Sequence, residues 1–137
     1  MIEIRQLGPS DADLATVATR RFKGSAWNLQ EWLQSDRHVM IVALEGRSVV
    51  GWVYGYELPR LDRDENMWVL YEIDVAESHR RRGIGKSLLQ RYCETADGPV
   101  WLVSNESNTA AMALYADGER PNDDDVMIRF NTGRQTP

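Results

Sequence analysis

Hydrophobic and polar positions along the chain fall into short blocks whose period changes repeatedly between two and about 3.6. Ile2 to Leu7 alternates and predicts a strand that Gly8 and Pro9 close. Ser10, with Asp13 three residues on, suits the cap of a helix carrying Leu14, Val17, Ala18 and Phe22 at helical spacing. A second short helix is expected over Ala26 to Gln34. Val39 to Leu44 is an almost unbroken apolar run, and the turn Glu45-Gly46-Arg47 joins it to Val49–Tyr56, so the two read as a hairpin whose second strand Gly51 and Gly55 weaken. A charged loop with Pro59 leads to a strand at Met67–Val75. After Gly83 the residues Ile84, Leu88, Leu89, Tyr92, Cys93 and Ala96 recur at three and four, predicting an amphipathic helix that ends at Asp97-Gly98-Pro99. A buried strand at Val100–Ser104, a helix at Asn108–Tyr115, an acidic loop at Gly118–Asp125 and a last strand at Val126–Phe130 complete the expectation.

Strands mixed with helices in this order predict an α/β fold in which a central twisted sheet of mixed direction is flanked by helices. At 137 residues and without repeats, one domain over 1–137 is expected, with a frayed tail over 131–137. The 42% hydrophobic and 27% charged content is that of a chain able to form a core, which argues against disorder. Cys93 is the only cysteine, so neither an internal disulfide nor a cysteine-rich zinc module can form, and no histidine pair has metal-ligand spacing. No metal is expected. His38, His79 and Cys93 receive no role, because no pair has nucleophile–base spacing, which disfavours a covalent cysteine intermediate. No apolar run nears the roughly 18 residues of a membrane span and no signal-peptide pattern opens the chain, so a cytoplasmic location with no membrane partner is expected. The net charge of -5 makes nucleic acid a poor partner. Fourteen of the 16 basic residues are arginine, read as compositional bias.

The segment from Tyr71 to Leu89 carries the most chemistry. A strand runs through Arg80-Arg81-Arg82-Gly83-Ile84-Gly85-Lys86 into a helix, so glycines that permit close backbone approach meet the unpaired N–H groups and positive end of a helix. That combination suits a phosphate, although neither the P-loop nor the dinucleotide glycine pattern is present, and a merely decorated turn is the plainer alternative. On the strand before it, Glu72 and Asp74 alternate with Tyr71, Ile73 and Val75, so both carboxylates point to one face. Carboxylates there can take a proton from an amine or hold a cation; neutralisation by nearby arginines is the alternative. Tyr115 bears a phenol that stays protonated at neutral pH and can protonate a leaving thiolate, unless it only packs its helix.

R-x-x-G-x-G after an I-x-V strand, followed by Asn108-x-x-Ala111-x-x-Leu114-Tyr115, resembles the GNAT superfamily of acyl-CoA-dependent N-acetyltransferases. The resemblance implies a mostly antiparallel sheet with splayed strands and acetyl-CoA as co-substrate. It implies that Arg80, Arg81, Arg82, Gly83, Ile84, Gly85, Lys86 and Ser87 hold the coenzyme A pyrophosphate, that the main chain of Ile73, Asp74 and Val75 pairs with the pantetheine arm, and that Asn108 and Tyr115 contact the cofactor, Tyr115 as general acid. Within the superfamily, Met1–Asp11, Tyr56–Arg60, Tyr71–Gly83 and Asp125–Met127 look like the aminoglycoside 3-N-acetyltransferases of GNAT type. That group has an aspartate where Glu72 stands, which makes Glu72 the first choice, before Asp74, for catalytic base or amine anchor.

Two departures bear on the substrate. The segment between Phe22 and Val39 looks shorter than in the antibiotic-modifying enzymes, and Asp117-Gly118-Glu119 replaces the usual Gly-Phe after the tyrosine helix. Charge is compatible with a basic acceptor: Asp117, Glu119, Asp123, Asp124 and Asp125 stand against one Arg120, and Asp62, Asp64 and Glu65 form a second acidic loop, although each loop taken alone reads equally well as a solvated surface. The expected activity is transfer of acetyl to the primary amine of an aminoglycoside-type small molecule, with antibiotic resistance as its consequence. A peptide, protein or polyamine acceptor and a non-catalytic acyl-CoA-binding domain are the alternatives, and a homodimer is left open.

Overall fold

The computed structural model describes residues 1–119, 124, 126 and 128–133. Five strands, β1 (Ile2–Gln6), β2 (His38–Glu45), β3 (Ser48–Leu58), β4 (Met67–Val75) and β5 (Val100–Trp101), stand in the order β1-β2-β3-β4-β5. The first four pair antiparallel, and β5 joins β4 in parallel. Helices α1 (Ala12–Lys23) and α2 (Leu29–Trp32) cover one face; α3 (Ile84–Thr95) covers the other, and α4 (Thr109–Leu114) follows β5.

Apolar patterning explains the layers. Val39 to Leu44 are all buried because β2 is central and covered on both sides: Met40, Val42 and Leu44 meet Ala15, Ala18 and Leu29, while Val39, Ile41 and Ala43 meet Ile84, Leu88 and Tyr92. An antiparallel strand buried on both faces loses its alternation. α1 stops at Gly24, whose φ of 82° is left-handed and whose N–H returns to the Arg20 carbonyl at 2.9 Å.

Several local readings are corrected. Asp11 and not Ser10 precedes α1, and its carboxylate bonds the Gly8 N–H at 2.7 Å and Arg5 at 2.8 Å, so it staples the β1–α1 turn and does not cap the helix. The second helix shrinks to Leu29–Trp32 behind an Asn28 cap. The expected buried strand at Val100–Ser104 survives only over two residues, with Trp101 and Val103 exposed. Residues 126 and 128–130 form no strand; Met127, like Arg120, Asp123 and Asp125 of the acidic stretch, lies outside the described residues.

Gly51 and Gly55 make room for α3 where sequence reading saw only weakened pairing. A Cβ at Gly51 would lie 3.0 Å from Leu88 Cδ1. At Gly55 a Cβ would collide with the Val69 carbonyl oxygen at 2.0 Å and the Tyr92 hydroxyl at 2.1 Å. Beside it the β3–β4 register slips: Tyr54 pairs with Glu72 but Gly55 with Leu70, leaving Tyr71 as the extra residue of a β-bulge. The wholly buried Tyr92 fills the gap, donating its hydroxyl to the Val69 carbonyl at 2.8 Å. A helix side chain thus supplies a bond at the point where the ladder slips.

Removing that hydroxyl strands the Val69 carbonyl. Tyr92→Phe is expected to lower stability by about 1–3 kcal/mol in urea unfolding, and Gly55→Val to lower it further or prevent folding. A Tyr92→Phe midpoint equal to wild type would show that the bridge is dispensable.

Candidate active site

β4 leads through one 3-10 turn, Glu77–His79, into the arginine-rich loop. Arg80 is extended, Arg81 has φ 65° and Gly83 φ 78°, so two residues of this loop lie in the left-handed region. Arg81 reaches it without the freedom of glycine, which costs on the order of 1 kcal/mol. Gly83 is the N-cap of α3 and brings no side chain to the helix end, whereas Asn28 and Asn108 cap α2 and α4 with their own carbonyl oxygens. The Ser87 N–H bonds the Gly83 carbonyl at 3.1 Å, and the first turn of α3 carries no acid. Uncapped N–H groups at Ile84, Gly85 and Lys86, with Lys86 and Ser87 exposed, fit an anionic group such as a pyrophosphate.

Not all the basic side chains of this loop are spare. Arg80 bonds the Val75 carbonyl through Nε at 3.1 Å and lies 3.6 Å from Asp74; Arg82 reaches Glu45 at 3.4 Å. His79 also bonds Glu45, and its hydrogen bond, more than the arginine, holds that carboxyl below its usual range. Gly83 is open on the side where a Cβ would project. At Gly85 the same atom would touch Leu114 and Val75 at 3.7 Å, so Gly85 lets the end of α4 settle over the junction of β4 and α3.

β4 pairs with β5 only at Trp68 and Val69. From Leu70 to Asp74 no β5 residue follows its other edge, which leaves room for an extended ligand along that stretch. Ile73 and Val75 pack toward α3, while Asp74 is exposed. Val75 is already engaged on both sides, since its N–H bonds Asp74 Oδ1 at 2.8 Å and its carbonyl bonds Arg80. Of the three residues expected along a pantetheine arm, Ile73 and Asp74 are the freer. An open cleft of about 380 Å³ lies between this stretch and the end of α1, lined by Arg21, Phe22, Asp74, Ala76, Ser78 and Arg80 among others.

The bulge changes which side chains share a face. Simple alternation set Tyr71 opposite Glu72; instead Tyr71 stacks on Tyr54 at 5.5 Å and meets Tyr56 edge-on at 5.9 Å, on the α1 side that Glu72 also occupies. Trp32 completes this aromatic wall, its indole N–H 3.3 Å from the Tyr56 hydroxyl. Burial, reinforced by the charge of Glu72, pushes the Tyr54 phenol far up, so it remains a neutral donor. Glu72 itself accepts a 2.6 Å hydrogen bond from Lys23 at the end of α1, and this bond holds the Lys23 ammonium above its ordinary value. Lys23 and the wall of Trp32, Tyr54, Tyr56 and Tyr71 were not singled out from sequence. The Tyr54-x-Tyr56 alternation was the available signal, but without the bulge it did not include Tyr71.

Asn108 accepts the Ala111 N–H at 3.1 Å, so its side chain caps α4. Tyr115 closes the same helix, half-buried, and burial pushes its phenol up, which keeps it protonated. The structure brings Glu72 next to Lys23 and Asp74 next to Arg80; Tyr115 has no hydrogen bond to either carboxylate among the described residues. The second acidic loop is partly self-neutralised, with Arg60 at 3.4 Å from Asp62 and 3.5 Å from Glu65. Asp117, Glu119 and Asp124 are exposed.

A strand parted from its neighbour beside an uncapped helix start suits a ligand that joins an extended arm to an anionic group. The chain belongs to the Acetyltransferase (GNAT) family, whose pattern matches residues 11–118, and it is an acetyl-CoA-dependent N-acetyltransferase. Its fold is similar to that of an aminoglycoside acetyltransferase from an uncultured soil metagenomic sample (24% identity, TM-score 0.80, 96% of this chain and 99% of that one). A second such enzyme from a soil metagenomic sample, solved in complex with sisomicin, gives 21% identity and TM-score 0.81 over 96% and 95% of the chains. A ribosomal-protein-alanine N-acetyltransferase from Brucella melitensis biovar Abortus 2308 gives 22% and 0.73 over 94% and 99%. No curated protein sequence matches the chain.

The left-handed φ of Gly83 gives a direct test of the turn. Gly83→Val should weaken acetyl-CoA binding at least tenfold by calorimetry in a folded protein, while Gly83→Asn, which tolerates that conformation better, should lose less. Unchanged affinity in a folded Gly83→Val would remove the turn from the binding site.

Proposed function

We propose that the protein transfers acetyl from acetyl-CoA directly to a primary amine of an aminoglycoside-type polycation. The observation that carries the reading is Glu72, a carboxylate on the α1 face of β4 at the stretch left open by β5, between two tyrosines and already paired with an ammonium. A carboxylate that seats a lysine ammonium at 2.6 Å has the reach and charge to seat an acceptor amine there. In this reading Glu72 orients the amine and takes its proton, and the aromatic wall packs the apolar faces of the acceptor's rings. The turn from Arg80 to Ser87 holds the pyrophosphate, and Ile73 and Asp74 hold the pantetheine arm by their main chain. Tyr115 protonates the departing thiolate; Asp74, tied to Arg80, is the weaker candidate for base.

Fold similarity to an aminoglycoside acetyltransferase crystallised with sisomicin supports this acceptor class, as do the exposed acids Asp117, Glu119 and Asp124. Similarity to a ribosomal-protein-alanine N-acetyltransferase, together with the self-neutralised Asp62 to Glu65 loop, supports a peptide amine as the second reading.

Thiol release from acetyl-CoA in the presence of gentamicin-like compounds, polyamines and peptides separates these readings, and the first predicts turnover with the aminoglycosides. Tyr115→Phe should lower kcat by roughly 10²–10⁴-fold with an unchanged melting temperature; equal turnover would reduce Tyr115 to packing. Glu72→Gln should lower kcat/KM for the amine at least about tenfold while acetyl-CoA affinity holds, and added salt should raise the apparent KM more than it changes kcat. Turnover with a peptide or simple polyamine and none with aminoglycosides would overturn the substrate assignment.

A further inference from the structure

Lys23 and Lys86 are the only lysines of the chain, and they stand in different settings. Lys86 is exposed on the first turn of α3. Lys23 ends α1, where Phe22 stacks on the buried Trp52 at 5.4 Å and fixes the helix end against the sheet. Beyond that anchor the four-carbon side chain is free to swing, and its Nζ rests 2.6 Å from Glu72 Oε1. A primary amine of the protein therefore occupies the place that the proposed acceptor amine needs, at the open stretch of β4.

We propose that Lys23 is the enzyme's own first acceptor: its Nζ is acetylated in cis from acetyl-CoA, and the loss of its charge uncovers Glu72 for external amines. The inference rests on the assignment of Glu72 as the amine seat. Glu72 takes one proton from the Lys23 ammonium, and the freed lone pair attacks the thioester carbonyl carbon. The N–C bond forms and the C–S bond breaks. The second amine proton passes to the departing thiolate, so coenzyme A leaves as thiol, Lys23 becomes a neutral acetamide, and the proton on Glu72 returns to water. An amide cannot form the charge-assisted bond that the ammonium makes, so Glu72 is left to an incoming cation. Until then every amine substrate competes with a tethered one whose local concentration is of millimolar order.

The test is incubation of the full chain with acetyl-CoA and no acceptor, followed by intact-mass measurement and peptide mapping. One acetyl per chain is expected, at Lys23, at least tenfold faster than at Lys86, with a first-order rate independent of protein concentration. Glu72→Gln, checked for an unchanged melting temperature, should slow Lys23 acetylation at least tenfold without altering Lys86. Protein acetylated beforehand and freed of acetyl-CoA should show a KM for amine acceptors lowered several-fold, and Lys23→Met should reproduce that KM while taking up no acetyl. Equal rates at Lys23 and Lys86, a rate proportional to protein concentration, or an unmodified Lys23 in protein that turns over external amines would each overturn the inference and leave the transferase reading intact. Rapid Lys23 acetylation insensitive to Glu72→Gln would overturn both the inference and the role given to Glu72.

Discussion

Between β3 and β4 one residue is out of step, and the consequences reach both faces of the sheet. Tyr71 enters β4 as an extra residue, and beside it the Val69 carbonyl takes its bond from a helix. Tyr92 meets that carbonyl with its hydroxyl, and it can approach because Gly55 has no side chain. An unbonded carbonyl there would cost about 1–3 kcal/mol, so the bulge, the glycine and the helix tyrosine persist as a set. The slip also reverses inside and outside along the rest of β4. Without it Glu72 would share the face of Leu70 beneath α3, where a carboxylate has no partner.

The reach of sequence reasoning follows the range of the interactions. Met67–Val75 has the predicted bounds because its apolar content and flanking loops are local signals, and the α3 start was placed because the glycine spacing is itself the turn. The bulge was invisible, since it depends on a residue of α3 some twenty positions later filling a hole opposite a third strand. For the same reason Gly55 read as a weakness. The contraction of Val100–Ser104 to two residues has a related cause: a β-rich segment pairs only as far as its neighbour offers an edge, and β4 turns away after Val69.

The candidate site was legible as a set of residue types and less so in their company. Glu72, Asp74, Gly83 and Tyr115 are candidates on sequence alone, yet the partner that distinguishes the two carboxylates comes from elsewhere in the chain. Lys23 lies 49 positions from Glu72, and nothing in its surroundings in sequence marks it. Asp74 is paired instead with Arg80, six residues away, which matches the plainer view of neighbouring charges neutralising one another. Arginines that look uniform in sequence are thereby divided: Arg80 and Arg82 are occupied within the protein, while Arg81 bends the backbone.

The Tyr92 bridge also orders events in time. A β-hairpin ladder normally zips from its turn, but the Val69 carbonyl finds its partner only when α3 has docked, which ties local strand pairing to a long-range contact. Hydrogen exchange of the amides around the bulge would then report the docking of α3 as well as the hairpin. The helix whose uncapped first turn suits an anion is thus fastened, about two turns later, to the strand that carries Glu72, so neither half can loosen alone.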